Sequence, residues 1–223
     1  MLVCLLAAVG ASGDERSQSQ PRSQSNIKAI AAAVDKHYNS LATFKSDFTE
    51  IYSGGGISRN ESGTLLLKRP SRMRWDYHQP REKLFVSDGK TAYFYVIGER
   101  QARRTSVKKL DDLRSPLRYL LGKTRLEKEF DKLQLADGVT VSQPGNLVLS
   151  GVPKKMDDRI SRVLLEITPA DQIQRIVIEE VDGTTTEFRF SNFEENKAIS
   201  DQQFSFTAPP GVELVEAGDL QGE

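Results

Sequence analysis

A chain of 223 residues can bury one sizeable core, so a single domain is expected. Hydrophobic residues make up 38% and charged residues 28%, a globular balance that argues against wholesale disorder and against a polytopic membrane protein. Lys plus Arg and Asp plus Glu number 31 each, so no charge excess drives nucleic-acid binding; one Cys and two His leave no internal disulfide and few ligands for a metal.

Residues 1–11 are apolar and close on Val9-Gly10-Ala11, small or permissive residues of the kind a signal peptidase reads, so an exported protein is expected. The basic n-region is absent: either the true start lies upstream or the signal is minimal, and the run is too short to span a bilayer. Cys4 lies inside this run, but with three residues before it and Val3 beside it lipidation is disfavoured. Residues 12–25 are polar, carry no apolar period and read as a flexible leader.

Asn26 is placed to cap a helix whose apolar residues Ile27, Ile30, Val34, Tyr38 and Leu41 recur at spacings of three and four. The period then switches to two, with Phe44, Ser46, Phe48 and Tyr52 set against Lys45, Asp47 and Thr49. Gly54-Gly55-Gly56 and Asn60 to Gly63 punctuate the next strands, and Leu65-Leu66-Leu67-Lys68 ends at Arg69-Pro70. Met73, Trp75 and Tyr77 alternate with Arg72, Arg74 and Asp76, the clearest one-face-in pattern of the chain. Asp88-Gly89 turns Leu84-Phe85-Val86 into the strand Thr91 to Ile97, and a strand at Gln101 to Val107 completes the meander.

Ser115-Pro116 then predicts a helix start, with the stripe Leu117, Leu120 and Leu121 closed by Gly122, and a second short helix covers Leu126 to Phe130. Strands resume near Thr140 and continue at Asn146 to Val152, Ile160 to Ile167, Ile173 to Val181 and, after Asp182-Gly183, Thr184 to Phe190; Phe204-Ser205-Phe206 is placed as a last strand. About ten or eleven strands with three helices and no βαβ alternation predict a mainly β fold: one large, barrel-like antiparallel sheet under a helical cover. The organisation expected is a signal at 1–11, a leader at 12–25, one domain at 26–215 and a tail at 216–223.

Catalytic signatures are sparse. Gly89-Lys90-Thr91 and Gly122-Lys123-Thr124 look like phosphate-loop ends, but the glycine needed five residues earlier is Leu84 in one and Leu117 in the other. Gly56-Ile57-Ser58 lacks the second glycine of a nucleophile elbow, and no Cys–His pair survives removal of the signal. His37 on the first helix and His78 beside a turn are expected to be solvated surface residues. The doublets Asp111-Asp112, Asp157-Asp158, Glu179-Glu180 and Glu194-Glu195 place neighbours on opposite faces of a strand, which suits solvated edges better than an acid–base pair. Asn60-Glu61-Ser62 fits a glycosylation sequon without meaning for a bacterial-type exported protein.

Lys68-Arg69-Pro70, Trp75, Gln79-Pro80 and Val86-Ser87-Asp88-Gly89-Lys90 through Tyr95 resemble the central signature of the LolA-type outer-membrane lipoprotein carriers. Phe44 and Phe48-Thr49 ahead of it, and Phe204-Ser205-Phe206 with Pro209-Pro210-Gly211-Val212 behind it, are similar to that family's two ends, so the resemblance covers roughly Asn26 to Val215. It implies an unclosed antiparallel barrel lidded by helices: a periplasmic carrier, not an enzyme and without cofactor, that takes acylated lipoproteins from an inner-membrane ABC transporter to an outer-membrane acceptor as a monomer. It also implies that Arg69 latches the lid by bonding helix carbonyls, a task that suits a planar, multi-donor guanidinium. Glu50 stands where the family often has glutamine, Met73 where an aromatic is frequent, and the leader is long.

Burying a methylene is worth ~0.8 kcal/mol, so an acyl chain of about sixteen carbons exposed to water costs about 12 kcal/mol and needs a carrier. A barrel of about eleven strands encloses more volume than its own side chains fill, so an apolar hollow is expected. Its candidate wall is Phe44, Phe48, Leu65, Leu67, Met73, Trp75, Phe94, Phe188 and Phe190, with Leu117, Leu120 and Leu121 under the lid; ordinary core packing would select the same residue types. A solid interior of interlocked aromatics, with no room beneath the helices, would count against the hollow and against the shuttle reading that hangs on it. Two other functions stay open: a related barrel acting as acceptor or lipid-sensing regulator, and a secreted hydrolase with dispersed carboxylates.

Overall fold

The computed structural model describes residues 19–107 and 125–217, with side chains from residue 26. The expected signal segment, the start of the leader, and the Ser115 to Gly122 helix with Leu117, Leu120 and Leu121 lie outside the described residues.

Helix α1 (Ser19–Ser40) leads into β1 (Thr43–Gly54), β2 (Ile57–Lys68), β3 (Arg72–Gln79), β4 (Lys83–Ser87), β5 (Thr91–Val96) and β6 (Gln101–Ser106). The one-turn helix α2 (Leu126–Glu129) precedes β7 (Phe130–Leu135), β8 (Leu147–Pro153), β9 (Ile160–Ile167), β10 (Ile173–Glu180) and β11 (Thr185–Glu195); a 3-10 turn (Asp201–Phe204) and β12 (Glu213–Glu216) follow. The strands form one sheet of order β12-β6-β5-β4-β3-β2-β1-β11-β10-β9-β8-β7, antiparallel except where β12 runs parallel to β6. Its edges, β7 and β12, do not pair, so the barrel is unclosed.

The sheet's inner face shares one core with α1. Val34, Tyr38 and Leu41 are buried against Phe44, Phe48, Leu65 and Trp75 on one side of β1 and against Leu149, Leu165, Ile176 and Phe190 on the other. Each such side chain is worth about 1.5–3 kcal/mol of burial, which holds a helix whose exposed residues are polar.

The outer face is covered differently. Val148, Leu164 and Val177 form a small cluster beneath Ala136, Val139 and Val141. Residues 197–206 cross β1–β5 as a strap: Lys68 Nζ donates to the Ile199 carbonyl at 2.6 Å, Arg74 Nη1 to that of Gln203 at 3.0 Å, and the Phe206 ring lies 5.2 Å from Tyr93.

Several boundaries differ from the sequence expectation. Helix α1 begins at Ser19, so Asn26 lies inside it and caps nothing, and part of the expected leader is helical. Its opening turns are polar and thus invisible to a search for an apolar stripe; Pro21 falls in the first turn, where its missing N–H is harmless. Among the described residues the sheet has twelve strands, against the ten or eleven expected. The strand expected near Thr140 is a loop, and β7 stands earlier, at Phe130–Leu135, where a register shift between Asp131 and Gln134 and a positive φ of 52° at Lys132 break the alternation. Phe204-Ser205-Phe206 is not a strand: Ser200 caps the 3-10 turn through a 3.4 Å bond from Gln202 N, Phe204 is buried, and the last strand is β12. The two helices expected within the described residues are both present, with the 3-10 turn besides, and the third expected helix lies outside the described residues.

Candidate functional site

Register builds the inner face from rows of directly opposed residues. One row runs Phe44, Leu67, Met73, Ser87, Ala92, Thr105 from β1 to β6, and the next runs Ser46, Leu65, Trp75, Phe85, Phe94, Arg103. The third holds Phe48, Gly63, Tyr77, Lys83 and Val96. Gly63 is obligatory there, because a Cβ would stand 1.8 Å from the Asp76 carbonyl oxygen and 2.9 Å from the Phe48 ring. On the other side of β1, Phe190 lies opposite Phe48, and Ile176 opposite Phe188.

Seven of the expected wall residues, Phe44, Phe48, Leu65, Leu67, Trp75, Phe188 and Phe190, are buried in the core that α1 closes. Their rings interlock: Phe48 meets Trp75 edge-on at 4.7 Å, Trp75 meets Phe188 at 5.9 Å, and Phe188 stacks on Phe190 at 6.3 Å. Met73 and Phe94 are only half-buried, with Phe85 beside them. Under α1, then, the inner face is packed rather than empty. A crevice of about 20 Å³ remains at the end of the helix, between Tyr38, Leu41, Phe44, Leu67 and Arg69, room for about one water. A pocket of about 390 Å³ lies on the outer face instead, between the strap and Lys45, Leu66, Asp76 and His78.

Arg69 stands at the turn after β2, beside the C-terminus of α1. Its Nη2 donates to the Tyr38 carbonyl at 2.5 Å, and its backbone N–H to that of Ala42 at 3.0 Å. The last carbonyls of a helix lack internal donors and carry partial negative charge, so a guanidinium is well matched to them. The same helix end is tied down three more times. Tyr38 Oη accepts from Ile173 N–H at 2.9 Å, His37 Nε2 meets Glu195 Oε1 at 3.0 Å, and the Asp35 carboxylate accepts from Leu126 N–H at 3.0 Å. Burial pushes the Tyr38 hydroxyl far above its ordinary pKa, so it stays protonated.

Beyond the aromatic rows the inner face turns polar, which sequence reading missed. Glu50 on β1 directly opposes Glu61 on β2. Two like charges so placed repel, and Lys83 offsets this with a 2.6 Å ion pair to Glu61 Oε2, its ammonium 4.3 Å from the centre of the Tyr77 ring. Tyr77 Oη donates to Glu50 Oε2 at 2.9 Å. Burial raises the Glu50 carboxyl above its usual range, with Tyr77 opposing the shift only in part. The period-two pattern of β1 already turned Glu50 inward; what it lacked was the register that set Glu61, Tyr77 and Lys83 around it.

His37 is half-buried and paired, not solvated as expected, because Glu195 on β11 reaches the helix. His78 is exposed, 3.3 Å from the Thr64 hydroxyl. In the Glu179-Glu180 doublet, Glu179 pairs with Arg162 at 2.7 Å. Among the described residues no group of three His, Cys, Asp or Glu is placed to hold a metal ion.

Comparison with known proteins adds the family. Residues 39–207 match the model of the outer membrane lipoprotein carrier protein LolA. The outer-membrane lipoprotein carrier protein of Nitrosospira multiformis is 30% identical over 178 residues, 78% of this chain and 82% of that protein. That of Nitrosomonas europaea is 27% identical over 199 residues, 87% and 91% of the two chains. Among solved structures, the Mycobacterium tuberculosis lipoprotein LppX overlaps 82% of this chain and 99% of its own at 12% identity and a TM-score of 0.49. A LolA superfamily protein from Nitrosomonas europaea overlaps 81% and 96% at 11% identity and a TM-score of 0.45. With the central motif carried on β2 to β5 and the family model spanning most of the chain, this protein belongs to the LolA family of outer membrane lipoprotein carriers.

Proposed function

We propose that the protein ferries acylated lipoproteins across the periplasm, from an inner-membrane ABC transporter to an outer-membrane acceptor, with the acyl chains held on the inner face of the sheet. The observation that carries this is the placement of Arg69 on the last turn of α1. The packed interior is the shut state of the carrier. Entering acyl chains take the place of the Val34, Tyr38 and Leu41 stripe, so apolar surface is exchanged for apolar surface and the hydrophobic terms nearly cancel. The balance between shut and open then rests on a few polar contacts at the helix end, each worth about 0.5–1.5 kcal/mol. Small net differences of that size keep both loading and unloading accessible. Met73, Phe85 and Phe94, already half-uncovered, are where a chain first finds apolar surface.

Two measurements test this. Mass spectrometry of the protein purified from periplasm is expected to find an acylated protein bound; recovery of the carrier alone from cells making lipoproteins argues against the reading. Arg69→Leu is expected to fold and accept lipoprotein but to pass it poorly to acceptor membranes, and unchanged transfer removes Arg69 from the mechanism.

A further inference from the structure

Ser46 is fully buried on β1 between Phe44 and Phe48, opposite Leu65, and its Oγ has no hydrogen-bond partner. A buried hydroxyl without a partner is a standing cost, so its presence in a core calls for a reason. Water fits poorly here, since it needs two to four polar neighbours, and Phe44, Phe48 and Leu65 offer no polar side-chain atom. A ligand that is apolar along its length and carries a single acceptor fits well.

We infer that Ser46 is the anchor of the acyl site: its Oγ–H donates to the carbonyl oxygen of an ester- or amide-linked acyl chain lying along Phe44, Leu65 and Trp75. This rests on the carrier reading above. It adds a specificity to it: the site reads the carbonyl that joins a fatty tail to its head and therefore prefers acyl to alkyl chains. A hydroxyl with no partner in the shut state gains its first hydrogen bond only on loading, so its contribution falls wholly on the bound form. Thr105, the other buried hydroxyl without a partner among the described residues, sits four strands from β2 at the β6 side of the sheet and serves as the comparison.

The test is competition of a diacylglycerol and the matching dialkylglycerol ether against a fluorescent fatty acid bound to the intact protein. The wild type is expected to prefer the diacyl lipid by about three- to tenfold, the range of one net hydrogen bond. Ser46→Ala is expected to erase that preference, leave affinity for the ether unchanged and unfold no earlier than wild type; Thr105→Val keeps the preference. A preference that persists in Ser46→Ala, one lost only in Thr105→Val, or a clear loss of thermal stability in Ser46→Ala overturns the proposal. Failure of the wild type to bind either lipid overturns the carrier reading itself, whereas equal binding of both overturns only the role of Ser46.

Discussion

The two halves of the inner face are built from similar residues and end in different states. From β8 through β11 to β1 and β2, Leu149, Leu165, Ile176, Phe190, Phe44 and Leu65 are buried in the core that α1 closes. From β3 to β5, Met73, Phe85 and Phe94 keep part of their surface exposed, and the outer face behind them is sealed by the strap instead. One half is thus covered by the α1 stripe, and the other is already partly open. A strand pattern tells which face is apolar; only the neighbouring helix decides whether that face is filled.

The largest effect should separate these halves directly. Phe190→Ala opens a cavity in the filled half and is expected to cost about 3–5 kcal/mol in urea unfolding, whereas Phe94→Ala costs about 1–2 kcal/mol and weakens acyl binding instead. Equal losses would show that the halves do not differ. Glu166 comes next, behind the filled half. It is buried with its carboxylate bound by Arg175 Nε at 2.7 Å, Asn146 Nδ2 at 2.7 Å and the Ser142 N–H at 2.6 Å. Burial alone would raise this carboxyl, but those bonds outweigh it and hold its pKa below 4.5. Glu166→Ala strands Arg175 and is expected to cost about 3–5 kcal/mol near neutral pH. The stabilisation is complete above the unfolded value of 4.5 and is lost as the pH falls through the lower folded value, so thermal unfolding of wild type and variant should converge in acid.

The smallest effect lies at the polar end of the inner face, where β1 and β2 meet β3. The Glu50 carboxyl is raised above 4.5, so folding is penalised once the pH climbs past that value and the penalty is complete above the folded value. Glu50→Gln should therefore raise the melting temperature slightly at neutral pH and not below about pH 4; a gain that is independent of pH would place the cost elsewhere than in its charge.

Much of the fold was legible where alternation is undisturbed. Met73, Trp75 and Tyr77 face inward as their spacing predicts, β9 runs from Ile160 to Ile167, and Asp88-Gly89 forms the β4–β5 turn. Legibility failed at β7, where the kink at Lys132 destroys the period, and at Phe204 and Phe206, whose spacing mimics a strand although Phe204 is buried at the end of a 3-10 turn and Phe206 packs on Tyr93. At the site, the inward residues of β1 to β3 were identified, but their packing against α1 was not, since a lipid wall and a core use the same side chains. The contacts of Glu50 with Glu61 and Tyr77 arise from cross-strand register, which a single strand does not encode.

What the sequence determined by itself is therefore the local grammar: a period of two for most strands, of 3.6 for α1, turns at Asp-Gly pairs, and the Lys68-Arg69-Pro70 motif of a lipoprotein carrier. What only the tertiary structure decided is which apolar residues are covered, which hydroxyl is left without a partner and where the Arg69 guanidinium lands. These depend on contacts between segments far apart in the chain, such as Arg69 with Tyr38 and Tyr38 with Ile173, and no local pattern of residues carries such contacts.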